Sequence, residues 1–320
     1  MKNKNGVMSV NAIIEKITEQ IQEGIYPGAS LALYRDGQWS EHYLGLADPE
    51  KGEPVVADLV YDLASVSKVV GVATICAFLY AKGELALDRP FKELYPRFAH
   101  EKTTIRELLT HTSGLDPFIP NRDQLDARQL KTALENLQLK EDKSFHYTDV
   151  NFLLLGFWLE DRFRQPLDRL FEELIFTPWK MTETRFGPVE KAVPTVRGLA
   201  SGSVHDPKAR VLGPHAGSAG LFSTVADLER FLEHYLKDDF ARDLSQNFAR
   251  EEGKTRALGW NLEGDWLDHT GYTGTFIMYN RKSQEAVIFL SNRTYEKDER
   301  AQWILDRNYL MDLIKQEFEK

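Results

Sequence analysis

The sequence predicts an α+β protein: an antiparallel sheet flanked by helices, with a mainly helical domain inserted into it. Three observations carry this reading. Strand-like runs lie near both ends of the 320-residue chain, while helical runs fill the middle, as expected when the two termini build one sheet around an insertion. The dipeptide Asp36-Gly37 sits between two strand-like runs, where a tight hairpin turn wants it. The stretch beyond Lys68, from Val69 to Tyr80, is apolar on every face, which in a water-soluble chain means a helix buried all round. The expected sheet domain covers residues 9–82 and 253–320, and the inserted helical domain covers 83–252.

Each element has a local cause. Ile13, Ile14, Ile17 and Ile21 recur at helical spacing over Val10 to Glu23, and Pro27-Gly28 stops that helix. Ser30 to Tyr34 and Trp39 to Leu46 read as the hairpin strands. The buried helix follows, with Gly83 at its C-terminal cap; its run reads as too short to cross a bilayer. Thr104-x-x-Glu107 opens a helix with a capping box, closing at Gly114. Helices are expected at Ala127 to Leu139, Asp149 to Phe163 and Pro166 to Phe176. Gly187 to Gly220 shows neither period and reads as a long loop walling a cleft. Thr224-x-x-Asp227 caps a helix to about Leu236. Strands return at Leu258 to Leu262, Trp266 to Asn280 and Ala286 to Ser291, and a last helix, Ala301 to Phe318, turns Trp303, Ile304, Leu310 and Ile314 inward.

Composition narrows the function. A formal net charge of -9 without a basic cluster argues against nucleic acid as a partner. The single cysteine, Cys76, lies within the apolar run and excludes disulfides and thiolate metal sites. Met1 to Val10 holds lysines but no apolar leader core, so the chain as given reads as cytoplasmic; a leader already trimmed away would leave the same N-terminus. The expected partner is a small molecule, with no membrane segment and no cofactor; the oligomeric state is left open.

Chemistry gathers at the start of the buried helix. Ser65 and Lys68 are three residues apart and occur in the chain's one Ser-x-x-Lys, so on a helix their side chains meet. A desolvated lysine has its pKa pushed down and accepts a proton from a serine hydroxyl that is a weak nucleophile alone. Backbone N–H groups of the first helical turn have no intrahelical partner and are available to an oxyanion. Taken alone, Ser-x-x-Lys is a weak signal.

Two further stretches strengthen it. Tyr147-Thr148-Asp149 resembles the Tyr-x-Asn element of class C β-lactamases and related penicillin-binding proteins, and His269-Thr270-Gly271 resembles their Lys-Thr-Gly element. Both follow Ser65-x-x-Lys68 in the family's order and spacing. Leu108 to Leu115 and Ala216 to Thr224 are similar to other recurrent stretches of β-lactamase-related serine hydrolases, so the likeness spans about residues 25 to 295. It implies the β-lactamase/transpeptidase-like fold, with the active site between sheet and helical domains. It also implies Ser65 as nucleophile and Lys68 as base or as a charge that favours a partner's ionised form. Tyr147 becomes the residue that hands a proton to the leaving group, its alternative role being a loop anchor. The backbone N–H groups of Ser65 and Tyr272 become the oxyanion hole.

Two positions depart from the family pattern. Asp149 replaces an asparagine, exchanging a donor and acceptor for an acceptor-only carboxylate; it also suits the N-cap of the following helix. His269 replaces a lysine, so a fixed cation becomes a group mostly neutral at pH 7, to be charged as pH falls toward 6. Arg293 could reach a substrate carboxylate in its place, or simply solvate a surface. His205-Asp206 and His215 in the long loop show no metal-ligand spacing, and no metal is expected. The expected function is a serine hydrolase working through an acyl-enzyme on an ester or a D-alanyl-type amide, an esterase or D,D-peptidase-like enzyme of wall metabolism that is weak on β-lactams, its small-molecule partner an ester, peptide or wall fragment. The alternatives are a class C-like β-lactamase and a non-catalytic penicillin- or wall-fragment-binding protein.

Overall fold

The computed structural model describes residues 5–250 and 255–320, with side chains from residue 10 onward. Met1 to Lys4 and the boundary expected at 252/253 lie outside the described residues. Ten strands are described: β1 (Gly28–Arg35), β2 (Gln38–Asp48), β3 (Glu53–Pro54), β4 (Tyr61–Asp62), β5 (Arg185–Phe186), β6 (Leu221–Ser223), β7 (Asn261–Glu263), β8 (Trp266–Thr270), β9 (Phe276–Asn280) and β10 (Glu285–Ser291). Seven of them form one antiparallel sheet in the order β3-β2-β1-β10-β9-β8-β7. The two ends of the chain meet at its centre, where β1 pairs β10 from Ala29↔Ser291 to Tyr34↔Ala286.

Period-two alternation sorts the central strands onto two cores. Leu31, Leu33, Met278, Val287 and Phe289 face a layer built from the first and last helices, Asn5–Gln22 and Arg300–Phe318, which contributes Ile13, Ile17, Trp303, Leu310 and Ile314. Ala32, Tyr34, Tyr279, Ile288 and Leu290 face the larger core with the middle of the chain. Because both faces are covered, β1 is buried along nearly its whole length. The hairpin closes through Asp36 and Gly37, whose φ angles of 53° and 80° match the mirror-image turn that a right-twisted hairpin favours.

The buried helix forms, but not as one regular α-helix. Ala64–Val66 is 3₁₀, Val69–Ala73 is a π turn, and Thr74–Ala81 is α-helical, with Thr74 Oγ1 donating to the Val69 carbonyl at 2.6 Å. Gly83 sits at φ 70° just beyond it, as a left-handed cap should. Length and hydropathy give Ala64–Ala81 the profile of a membrane span, contrary to the expectation that it is too short, yet 78% of it is buried inside the protein.

Several boundaries move. The helix opened by the Thr104/Glu107 capping box is Ile105–Thr110 and ends at His111, φ 58°, rather than at Gly114. Ala127–Glu135 stops short because Leu139 instead bridges to Leu115. The segment 166–176 divides into an α turn and a π turn. The long loop contains a short helix, Pro207–Leu212, capped when the Asp206 side chain accepts the Ala209 N–H. The strand expected at Leu258 to Leu262 is only Asn261–Glu263, and Trp266 to Asn280 breaks into β8 and β9 at Gly271–Thr275. A second, three-stranded sheet in the order β4-β6-β5 was not foreseen, since strands of two or three residues carry no period.

Candidate active site

A cleft of ≈ 720 Å³ opens between the sheet and the helical segment, lined by Ser65, Tyr147, Asp149, His269, Thr270, Gly271, Tyr272 and Arg293. Every site residue nominated from the sequence is therefore in this wall except Lys68, which lies fully buried beneath it. His205 and Asp206 also line the cleft, whereas His215 pairs with Glu160.

Ser65 is held by the segment before it. Ala64 adopts φ 46°, a left-handed conformation that a residue with a side chain takes only under constraint. The constraint is Asp62, whose Oδ1 accepts the Ala64 N–H at 2.8 Å while Oδ2 accepts the His205 N–H at 2.7 Å. Burial pushes the Asp62 carboxyl up to about 6, against the pull of those two hydrogen bonds. Thr273 Oγ1 donates to the Asp62 carbonyl at 2.9 Å and Thr275 Oγ1 to the Leu63 carbonyl at 3.1 Å. These bonds bring the 271–275 turn, with Tyr272, against the Ser65 turn. The contact demands glycine at 271, where a Cβ would stand 2.1 Å from Thr275 Oγ1 and 2.6 Å from the Leu63 carbonyl oxygen.

Lys68 Nζ donates to Ser65 Oγ at 2.8 Å, to Asp149 Oδ1 at 2.7 Å and to the Ser218 carbonyl at 3.0 Å. This corrects the expectation of a depressed lysine. Burial does pull Lys68 down, but the Asp149 carboxylate, aided by Tyr147, outweighs it and holds the ammonium above its ordinary range. Asp149 resists its own burial in the same way, held well below the usual carboxylate range by Lys68 and by Lys208, whose Nζ is 3.1 Å from Oδ2. Asp149 caps nothing: it has helical φ and ψ and makes no side-chain cap bond. A carboxylate at this position thus favours the ammonium form of Lys68.

Tyr147 is 37% exposed and stands over this pair, with Lys68 Nζ 5.2 Å from its ring centroid. The rings of His111 and His269 flank it at 4.6 and 6.1 Å. His269 is 1% exposed, and burial, then Lys68 and Arg256, hold it well below the ordinary imidazole range. That direction runs against the expectation that the imidazole charges as pH falls toward 6. Arg293 is no surface arginine either: it is 3% exposed, and its Nη1 meets Asp298 Oδ1 at 2.6 Å while Nε donates to the Tyr272 carbonyl at 3.0 Å. It braces the Tyr272 turn.

Sequence reasoning missed Asp62, Lys208, His111, Arg256, Arg300 and Arg307. His111 carried a signal, since it lies in Leu108 to Leu115. Arg256 is 1% exposed, donates to Asn261 Oδ1 and the Gly259 carbonyl, and lies 5.3 Å from the Phe145 ring centroid. Burial drops it to about 10. No spacing marks such a residue, because its surroundings are assembled from distant parts of the chain. Among the described residues no cluster of histidine, cysteine and carboxylate side chains fits a metal ion.

Comparison with known proteins bears on the family and the fold. A putative D-alanyl-D-alanine carboxypeptidase of Escherichia coli (strain K12) is 28% identical over 363 residues, covering 90% of this chain and 83% of that protein. A β-lactamase/D-alanine carboxypeptidase from Pseudomonas syringae superposes with a TM-score of 0.76 over 97% of this chain and 99% of its own, at 20% identity. EstCE1, a hydrolase with promiscuous acyltransferase activity, gives the same TM-score and coverage at 19% identity. At such identities these structures speak to the fold. The profile of the Beta-lactamase family matches residues 13–311, nearly the whole of both cores and the cleft between them, and the chain belongs to that family of serine hydrolases.

Proposed function

We propose that the protein hydrolyses a D-alanyl-type amide or an ester through an acyl-enzyme on Ser65, and is weak on β-lactams. The observation that carries this is the contact of Ser65 Oγ with the buried, ion-paired Lys68 at the floor of the cleft. A lysine held charged is a poor base, so its part is electrostatic, and Tyr147, whose ring stands over the ammonium, acts as the base that takes the Ser65 proton as Oγ attacks the substrate carbonyl. The N–H groups of Ser65 and Tyr272 receive the oxyanion. On collapse, the carbonyl–leaving-group bond breaks and Tyr147 returns the proton to the leaving amine or alcohol. Water then repeats the sequence on the acyl-enzyme, freeing the acid and Ser65. The names of the curated relatives support the D-alanyl class. The buried imidazole at 269, depressed by its burial and by Lys68 and Arg256 where the family pattern has a lysine, supports weakness on penicillins.

Ser65→Ala is expected to abolish turnover of p-nitrophenyl acetate and of D-alanyl peptides, and to lose labelling by a fluorophosphonate in intact-mass spectrometry. Unchanged labelling of the variant would place the nucleophile elsewhere. Efficient nitrocefin hydrolysis by the natural protein would favour the β-lactamase reading, and labelling without turnover of any substrate would favour the receptor.

A further inference from the structure

We propose that Lys208, carried on the long loop of residues 187–220, is a positioning residue for the proton transfer at Ser65: it fixes the Asp149 carboxylate, which in turn aims Lys68. This rests on the hydrolase reading above and adds a residue to the machinery of that same site.

The second half of the loop grips the catalytic elements in succession. The His205 N–H donates to Asp62 Oδ2 at 2.7 Å, and the other oxygen of Asp62 holds the turn before Ser65. The Ser218 carbonyl accepts from Lys68 Nζ at 3.0 Å. Just past the loop, the Leu221 N–H donates to Ser67 Oγ at 3.1 Å, and the Leu221 carbonyl accepts the Leu63 N–H at 2.9 Å. These ties use backbone groups, which nearly any residue could supply. Lys208 differs because it reaches the site with its side chain. Its Nζ lies 3.1 Å from Asp149 Oδ2 and 3.6 Å from Asp206 Oδ2, and 14% of the side chain is exposed. The short helix that carries it, Pro207–Leu212, is fixed by the Asp206 cap, so the stem of the lysine is held where the ammonium is needed.

Both oxygens of Asp149 are thereby engaged: Oδ1 takes Lys68 at 2.7 Å, and Oδ2 faces Lys208. A carboxylate held at both oxygens cannot swing away, so Oδ1 stays on Lys68 and Lys68 stays on Ser65 Oγ, 2.8 Å from it. Burial raises the Asp149 carboxyl, and Lys68 and then Lys208 outweigh it. Without Lys208, Oδ2 would lose a charged partner in a site where a carboxylate oxygen left unpaired is costly. Lys208 also lines the cleft, so the rival role is direct binding of a substrate's negative charge. That role would appear in KM, and only for charged substrates.

p-Nitrophenyl acetate carries no charge and separates the two roles. Lys208→Met should lower kcat on it by roughly tenfold while KM changes by less than about twofold, the pattern of a misaligned reacting group rather than of lost binding. Lys208→Arg keeps a cation able to meet both carboxylates and should recover most of the loss. Methylammonium added to Lys208→Ala should restore part of it with rising concentration, where sodium at equal ionic strength does not. The rate at which a fluorophosphonate labels Ser65, followed by intact mass, should fall roughly tenfold in Lys208→Met and reads the same alignment without turnover. An unchanged kcat and labelling rate in Lys208→Met would overturn the inference and leave the hydrolase reading intact. A change confined to KM would overturn it too, as would a loss that neither arginine nor methylammonium recovers, the mark of a merely structural tie. Labelling of Ser65 that depends on Lys208 in a natural protein that turns over no substrate would instead sink the hydrolase reading.

Discussion

The two walls of the cleft hold their cations in opposite ways. On the helical side Lys68 has no exposure and three acceptors, one of them the Asp149 carboxylate, and its charge is raised and fixed. On the side of the sheet and last helix, Arg256 and Arg307 meet neutral oxygens in the structure, and burial depresses both. The same cost of desolvation acts on each group; whether a carboxylate stands within reach decides its outcome. A buried charge with a carboxylate in contact keeps its ionised form, whereas one that meets only neutral oxygens is depressed by its burial even with Asp268 in the neighbourhood.

The largest effect expected from breaking the paired side is on rate. Lys68→Ala and Tyr147→Phe should each lower kcat by at least about a hundredfold, with the double variant little worse than either, because both serve one proton transfer. Fully multiplicative losses in steady-state kinetics would show that ammonium and phenol act apart.

Asp149→Asn asks whether the carboxylate is what charges Lys68. It removes the strongest influence raising the lysine and leaves burial, which lowers it. The alkaline limb of kcat/KM should therefore move to lower pH than in the natural protein. Stability at neutral pH should fall by about 3 kcal/mol in denaturant titration, the cost of a buried ammonium without its carboxylate. An unmoved alkaline limb would mean that another group governs it.

Asp62→Asn probes a smaller effect at the junction of the walls. The folded carboxyl is raised to about 6 from an ordinary 3.8, so it holds its proton in the folded protein after the unfolded chain has lost it. Its contribution to stability is accordingly largest at low pH and declines as pH rises from about 4 through 6. For activity the sign is reversed: below about pH 6 the protonated carboxyl gives up acceptor capacity toward Ala64 and His205, and the Ser65 turn loosens. The natural protein should lose kcat severalfold across that limb, and the asparagine variant should be lower but flat through it. A limb that persists unchanged in the variant would assign it to another group.

Much of this was legible in the sequence because its causes are local. The Asp36-Gly37 turn, the Thr104/Glu107 and Thr224 caps and the strands on either side of the sheet's centre depend on a few adjacent residues. The three motifs named Ser65, Lys68, Tyr147 and the His269–Tyr272 stretch, all of which reach one cleft or its floor. The misplaced ends were those set by long-range contact: β8 stops where Gly271 packs under Leu63, and the 127–135 helix stops where Leu139 turns to Leu115.

The sequence by itself determined the α+β plan, the buried helix and the identity of the candidate nucleophile, since period, turn chemistry and motif order are properties of neighbouring residues. Only the tertiary structure decided the charges. That Lys68 is held charged, that His269 is depressed by its burial and that Arg293 braces a turn all depend on which groups, from 5 to 81 residues away for the bonds of Arg293 to Asp298 and Lys68 to Asp149, come within a few ångströms. A pKa reports desolvation and the nearest charges, and neither exists until the chain has folded around the group.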